Sequence, residues 1–255
     1  MIMKSYSNIC IKCIILPVII FLFLATPLAS IYAQSLQDAR LLFSQGKWIE
    51  AAKLAKSEGS GEGLALAAQI TSYYGRFIAS EDEQEEIFSR SIKLASKAIE
   101  ISPNSAFAHL QKAHAMGRYS QTVGILEALS EGYAGKIFDS VSKALSIEPE
   151  YASAYALMGN WHAEIIDSAG FVGRMVYGAS ESESLENYKK AIRIEPNNFL
   201  IRLEFANGLL KLDYDYKNQA TAQLKMLAKA TPKNSLEKII NTQAKKMLNK
   251  LELEN

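Results

Sequence analysis

One short segment, written three times, constrains this chain more than any other feature. Lys97-Ala98-Ile99-Glu100-Ile101-Ser102-Pro103, Lys143-Ala144-Leu145-Ser146-Ile147-Glu148-Pro149 and Lys190-Ala191-Ile192-Arg193-Ile194-Glu195-Pro196 are close copies, and their prolines stand 46 and 47 residues apart. A period of this length, without alternating strand patterns, specifies stacked helical units. Each copy reads as a helix end. Ala packs inward with Ile or Leu beside it, and Lys lies near the C-terminal end, where a cation suits the helix dipole. Proline then stops the helix, because it lacks an N–H and clashes with the preceding turn. Asn104-Ser105, Glu150 and Asn197-Asn198 follow, mostly types that cap the exposed N–H groups of a new helix.

Composition narrows the function. A chain of 255 residues, 49% hydrophobic, has ample apolar content for a core. A formal charge of +1 gives no electrostatic footprint for nucleic acid, so no nucleic-acid partner is expected. Two cysteines, Cys10 and Cys13, and three histidines exclude a disulfide framework and leave little for a zinc site.

Residues 1–33 differ from the rest. Lys4 and Lys12 precede an apolar run from Cys13 to Leu28, followed by Ala29-Ser30-Ile31-Tyr32-Ala33. A short positive region, an apolar stretch and small residues match a secretory signal peptide. Cleavage is expected near Ala33–Gln34, giving an exported product, periplasmic or secreted. The competing reading is an uncleaved anchor, the one route to membrane contact; Pro17 and the shortness of the run oppose it. The remainder contains no cysteine, which suits an oxidising compartment.

The repeat unit has further recurring positions: Tyr155, Met158, Gly159 and His162 on a first helix, then Ser184, Tyr188, Ala191 and Pro196 on a second. This pattern resembles the tetratricopeptide repeat family. The implied fold is all-α: a solenoid of about four helical hairpins, the central ones lengthened, with a C-terminal capping helix. The expected boundaries are an N-terminal hairpin at 34–58, repeats at 64–232 and a lysine-rich cap at 234–252. Gly59-Ser60-Gly61-Glu62-Gly63 is expected to be a flexible joint. The central units carry extra residues around 122–135 and 165–183. Met158-Gly159-Asn160-Trp161, Val176-Tyr177-Gly178 and Leu185-Glu186-Asn187-Tyr188-Lys189-Lys190-Ala191 are similar to the regulator of microtubule dynamics group of tetratricopeptide proteins. An exported protein meets no microtubules, so the resemblance implies only the fold and an interaction role.

No catalytic constellation is found, and no cofactor, metal site or enzymatic activity is expected. His109 and His114 lie five residues apart, off a common helical face, and His162 takes a packing position. The acidic run 81–86 suits a helix N-terminus better than calcium. What remains is the inner wall of the solenoid, lined by first helices. The residue after each small packing position gives Arg40, His114, Asn160 and Asn207. One turn further gives Ser44, Arg118, Glu164 and Lys211. Arg40, His114, Arg118, Asn160, Glu164, Asn207 and Lys211 are the candidate partner-binding residues. Asn160 and Asn207 are expected to be exposed, free to pair with a peptide backbone. The favoured function is a non-catalytic protein–protein interaction scaffold of the cell envelope, its partner a protein or peptide segment, an envelope or transporter complex among the candidates. A second reading stays open: a carrier, with a small apolar ligand between the central helices and Phe171, Val172, Met175 and Val176 lining the cavity.

Overall fold

In the computed structural model, residues 34–253 are described, so the leader lies outside the described residues. Helix α1 covers 34–44. It is followed by α2 (Trp48–Ser57), α3 (Gly61–Phe77), α4 (Glu81–Ile101), α5 (Ala106–Thr122), the short α6 (Ile125–Ser130) and α7 (Tyr133–Ile147). Then come α8 (Ala152–Tyr177), α9 (Glu181–Ile194), α10 (Phe199–Leu212), a 3₁₀ turn at Tyr214–Tyr216, α11 (Lys217–Lys229) and α12 (Ser235–Leu253). The fold is an all-α, tetratricopeptide-like solenoid. Its described residues form five helix pairs, α1/α2, α3/α4, α5/α7, α8/α9 and α10/α11, before the cap α12. The sequence suggests about four because the α3/α4 pair begins at Ser60, which accepts from Gly63 N at 3.1 Å, without a proline before it.

Burial separates two layers. Outer helices bury one stripe: Ile137, Val141 and Ala144 on α7, Ser184, Tyr188 and Ala191 on α9, Ala220, Leu224 and Leu227 on α11. That spacing of four and three is a single helical face. Inner helices are covered on several sides. Helix α10 buries Ile201, Leu203, Glu204, Phe205, Ala206, Gly208, Leu209 and Leu212. Ser105 and Asn198 cap α5 and α10 as their sequence positions suggest, whereas α8 starts after Tyr151 without a side-chain cap. Ser80 and Glu83 form a capping box beneath the acidic start of α4.

The solenoid curls until its ends meet. Trp48 Nε1 donates to Ser235 Oγ at 3.2 Å, and that hydroxyl donates to Phe43 O at 2.9 Å, joining the first hairpin to the cap. Asn241 on α12 donates to the carbonyls of Leu227, Ala228 and Ala230, satisfying the exposed end of α11. The stretch 59–63 is no flexible joint: Gly61 and Gly63 lie inside α3, buried against Ser102 and Ala55. The reason is the closure itself, because α2, α3 and α12 share one apolar cluster around Trp48, Leu66 and Ile70.

Candidate functional site

Each inner helix contributes two side chains one turn apart. Ser72 and Arg76 come from α3, His114 and Arg118 from α5, Asn160 and Glu164 from α8, and Asn207 and Lys211 from α10. The last six line a single open cavity of about 600 Å³ on the concave wall. Its sides are largely apolar, formed by Leu129, Tyr133, Ile137, Leu157, Trp161 and Ile165. Trp161 Nε1 is held by Ala134 O at 2.8 Å, which fixes the indole against the cavity. Among the described residues, no three His, Cys, Asp or Glu side chains are grouped to hold a metal ion.

The floor is a buried ion network centred on Glu204. Its carboxylate accepts from Arg76, from Arg118 Nη2 at 3.0 Å and from Asn160 Nδ2 at 2.7 Å. Tyr188, wholly buried between α8 and α10, donates to Asn160 Oδ1. Burial pushes the Glu204 pKa up, but the guanidinium of Arg76, then Arg118, with the Asn160 hydrogen bond, outweighs it and holds the group at about 2. Burial and the neighbouring Arg118 pull Arg76 down to about 10, still cationic at neutral pH. A lone buried carboxylate would be costly; three donors make it tolerable. At the rim, Lys211 pairs with Glu164 and lies 3.8 Å from Asp167.

His114 is the odd member. Its Nδ1 lies 3.1 Å from Ser72 Oγ, while Nε2 is buried without a partner among the described residues. Burial, then Arg118 and Arg76, depress its pKa to about 3, so the ring is neutral at ordinary pH.

Arg40 is not brought to the cavity. It sits on α1, exposed, 3.0 Å from Glu62, and Ser44 bonds back to Leu41 O. The series continues instead with Ser72 and Arg76 on α3, which reach His114 and Glu204 from behind the cavity without lining it. Asn160 is not a free amide either. Both of its ends are engaged with Glu204 and Tyr188, and only Asn207, half-buried, has no hydrogen bond among the described residues. Phe171, Val172, Met175 and Val176 do not line the cavity; they are 65–73% exposed beyond a bend at Gly170. The sequence offers one signal for the missed Glu204: a single acid between Leu203 and Phe205 in an apolar helix, which demands a buried partner. Nothing local points to Arg76, 128 residues away.

The model of the family described as regulator of microtubule dynamics protein 1-3 matches residues 36–252. The chain belongs to that family. No curated protein matches it. Among solved structures, a thermophilic tetratricopeptide protein of Thermus thermophilus aligns at TM-score 0.62 and 15% identity, over 87% of this chain and 99% of that one. An assembly chaperone of RpL4 aligns over 88% of this chain and 98% of that one, at 13% identity and TM-score 0.29. The first likeness establishes the tetratricopeptide-type fold in this family member; the second carries no argument.

Proposed function

We propose that this family member is a non-catalytic binding module of the cell envelope that holds a segment of a partner protein in its concave cavity. One observation carries the reading: side chains from three successive inner helices, set at repeat spacing, converge with Glu204 on one half-open, mostly apolar cavity. Recognition sites generally combine such walls with a few fixed polar groups. The leader at 1–33 is the basis for export, with cleavage near Ala33–Gln34. A carrier for a small apolar ligand is the second reading, favoured by a volume that falls within the range of small-molecule sites.

The test uses exported protein from its own host. Ser168 lines the cavity but is exposed, so Ser168→Trp should obstruct the site while preserving the fold. Loss of one stoichiometric protein partner in the variant supports the first reading. A small molecule retained by wild type in native mass spectrometry, and absent from the variant, supports the second. Partner capture unaffected by Ser168→Trp would place the interaction elsewhere.

A further inference from the structure

Away from the cavity, we propose that the outer face of the cap, α12 with the adjoining half of α11, docks on a bilayer surface of anionic phospholipid headgroups, without use of the leader. The argument begins with a division of charge. From Lys217 to Lys250 the chain carries eight lysines and a single acid, Glu237. Residues 34–216 hold 18 basic side chains against 24 acidic ones. The cap is a positive end on an otherwise negative protein, and none of these lysines lines the cavity.

Six of the eight, Lys225, Lys229, Lys233, Lys238, Lys245 and Lys246, are exposed, and none has an ion-pair partner among the described residues. Elsewhere surface cations find acids: Arg40 with Glu62, Arg90 with Glu86, Lys136 with Glu131 and Lys190 with Glu150. The one acid of the cap is turned to the start of α12, where Glu237 accepts from the Lys233 backbone N–H at 2.6 Å. Folding does not account for this pattern. Lys225 and Lys229 suit the C-terminal end of α11, but Lys233 and Lys238 stand at the N-terminal end of α12, where the helix dipole disfavours a cation. Because α11 and α12 pack together, the six repel one another, and a facing layer of anions relieves that repulsion.

Shape and cation type decide the kind of anion. The outer side of α12, with Lys238, Thr242, Lys245, Lys246 and Asn249, is exposed along its length and holds no acid. No lysine of the six lines a described cavity, so the face offers no enclosure for a single acidic side chain. All eight cations are lysine. Arginine holds a carboxylate in a fixed, two-pronged geometry, whereas an ammonium is a hydrated point charge, suited to a fluid array of phosphates. Clusters of about four to eight such charges are what an anionic leaflet attracts. Met226, 52% exposed between Lys225 and Lys229, and Leu253, 88% exposed at the end of α12, supply apolar groups for the interface.

The test is flotation of the exported protein, purified from its own host, with vesicles of phosphatidylcholine alone or with about one third phosphatidylglycerol. Wild type is expected to float with the anionic vesicles only, and to be released as salt rises from about 0.05 M to about 0.5 M. At roughly fivefold per charge, Lys238→Gln, Lys245→Gln and Lys246→Gln together should weaken affinity by roughly a hundredfold. Lys53, Lys97 and Lys143 are also exposed but lie on other helices, and their joint change to Gln removes the same charge. That control should cost less than about threefold, since those sites stand outside the docking face. Ser168→Trp, which obstructs the cavity, should leave flotation unchanged, so failure of the cavity reading and failure of the docking face are told apart. Equal binding to neutral vesicles, or equal losses from the two triple variants, overturns the cap as an anionic-lipid face. Loss of flotation in Ser168→Trp overturns it too, and moves the contact to the cavity mouth. Failure of wild type to float overturns the bilayer as partner; retention on immobilised polyglutamate would then assign the face to an acidic protein segment.

Discussion

The floor of the cavity and the two segments at its mouth are built on opposite terms. On the floor, Glu204, Arg76, Arg118, Asn160 and Tyr188 hold one another from five helices, and Glu204, Arg118 and Asn160 each bond to more than one neighbour. The mouth segments are the extra residues of the central units: α6, between Gly124 and Gly132, and the end of α8, between Gly170 and Gly178. All four glycines have positive φ, from 51° to 84°, a backbone state that L side chains rarely adopt. Between them, Leu126 and Phe171 are 81% and 73% exposed. Stability is concentrated where a ligand's polar end would be fixed, while the mouth is left with few partners, as expected of parts that adapt.

The largest effect should come from the centre of the floor. Glu204→Ala leaves two guanidiniums buried without their carboxylate, and should cost about 3–5 kcal/mol in urea unfolding. If the loss were small, the network would not be the fixed partner in the comparison. Acid should act on the same groups. The pKa of His114 is depressed from 6.5 to about 3, so between those values the unfolded chain binds a proton that the folded chain refuses. Glu204, depressed from 4.5 to about 2, does the same at lower pH. Both give stability that is present at neutral pH and lost on acidification, starting near pH 6.5. His162, also lowered by burial, adds the same sign. His114→Phe should therefore flatten, without abolishing, the fall between pH 6.5 and 4.5.

Next in size is the close approach that positions Tyr188. A Cβ on Gly159 would meet the tyrosine ring at 2.9 Å, and the phenol also lies against Gly208. Gly159→Leu should cost about 1–3 kcal/mol by overpacking. A loss near zero would mean that Tyr188 is not clamped between α8 and α10.

The two asparagines separate floor from surface within one repeat position. Asn160→Ala strips a donor from Glu204 and an acceptor from Tyr188, and should cost about 1–3 kcal/mol. Asn207→Ala should change stability by less than about 0.5 kcal/mol, since it breaks no bond within the described residues. Equal losses would show that the difference between them is not one of bonding.

These residues also show what could be read without coordinates. Helix ends, layers and the inner-wall register follow from local chemistry: proline at 103, 149 and 196, small residues at Gly159 and Ala191, and a one-turn step from His114 to Arg118 and from Asn160 to Glu164. The curl does not. It depends on how α3 and α10 meet across the whole array, so Arg76, the bonded state of Asn160 and the exclusion of Arg40 were beyond any local pattern. A repeat unit encodes its contact with the next unit, and small rotations then accumulate into closure.

The smallest stability effect is expected at the mouth, where it is the most informative about the comparison. Phe171→Ser removes an aromatic ring that already faces solvent, so unfolding free energy should change by no more than about 0.5 kcal/mol. Leu126→Ser should behave alike, because little apolar area leaves water when the protein folds around it. Replacing Gly170 with alanine is different, since it strains a backbone at φ 51° that glycine accepts freely. Hydrogen exchange of the exported protein with and without the partner that it captures tests whether the mouth responds to occupancy. Protection rising in 124–132 and 170–178, with the floor unchanged, would sharpen the division into a fixed floor and an adaptable mouth. A measurable stability loss from Phe171→Ser would break it, because the side chain would then be buried against a part of the protein from which the structure separates it.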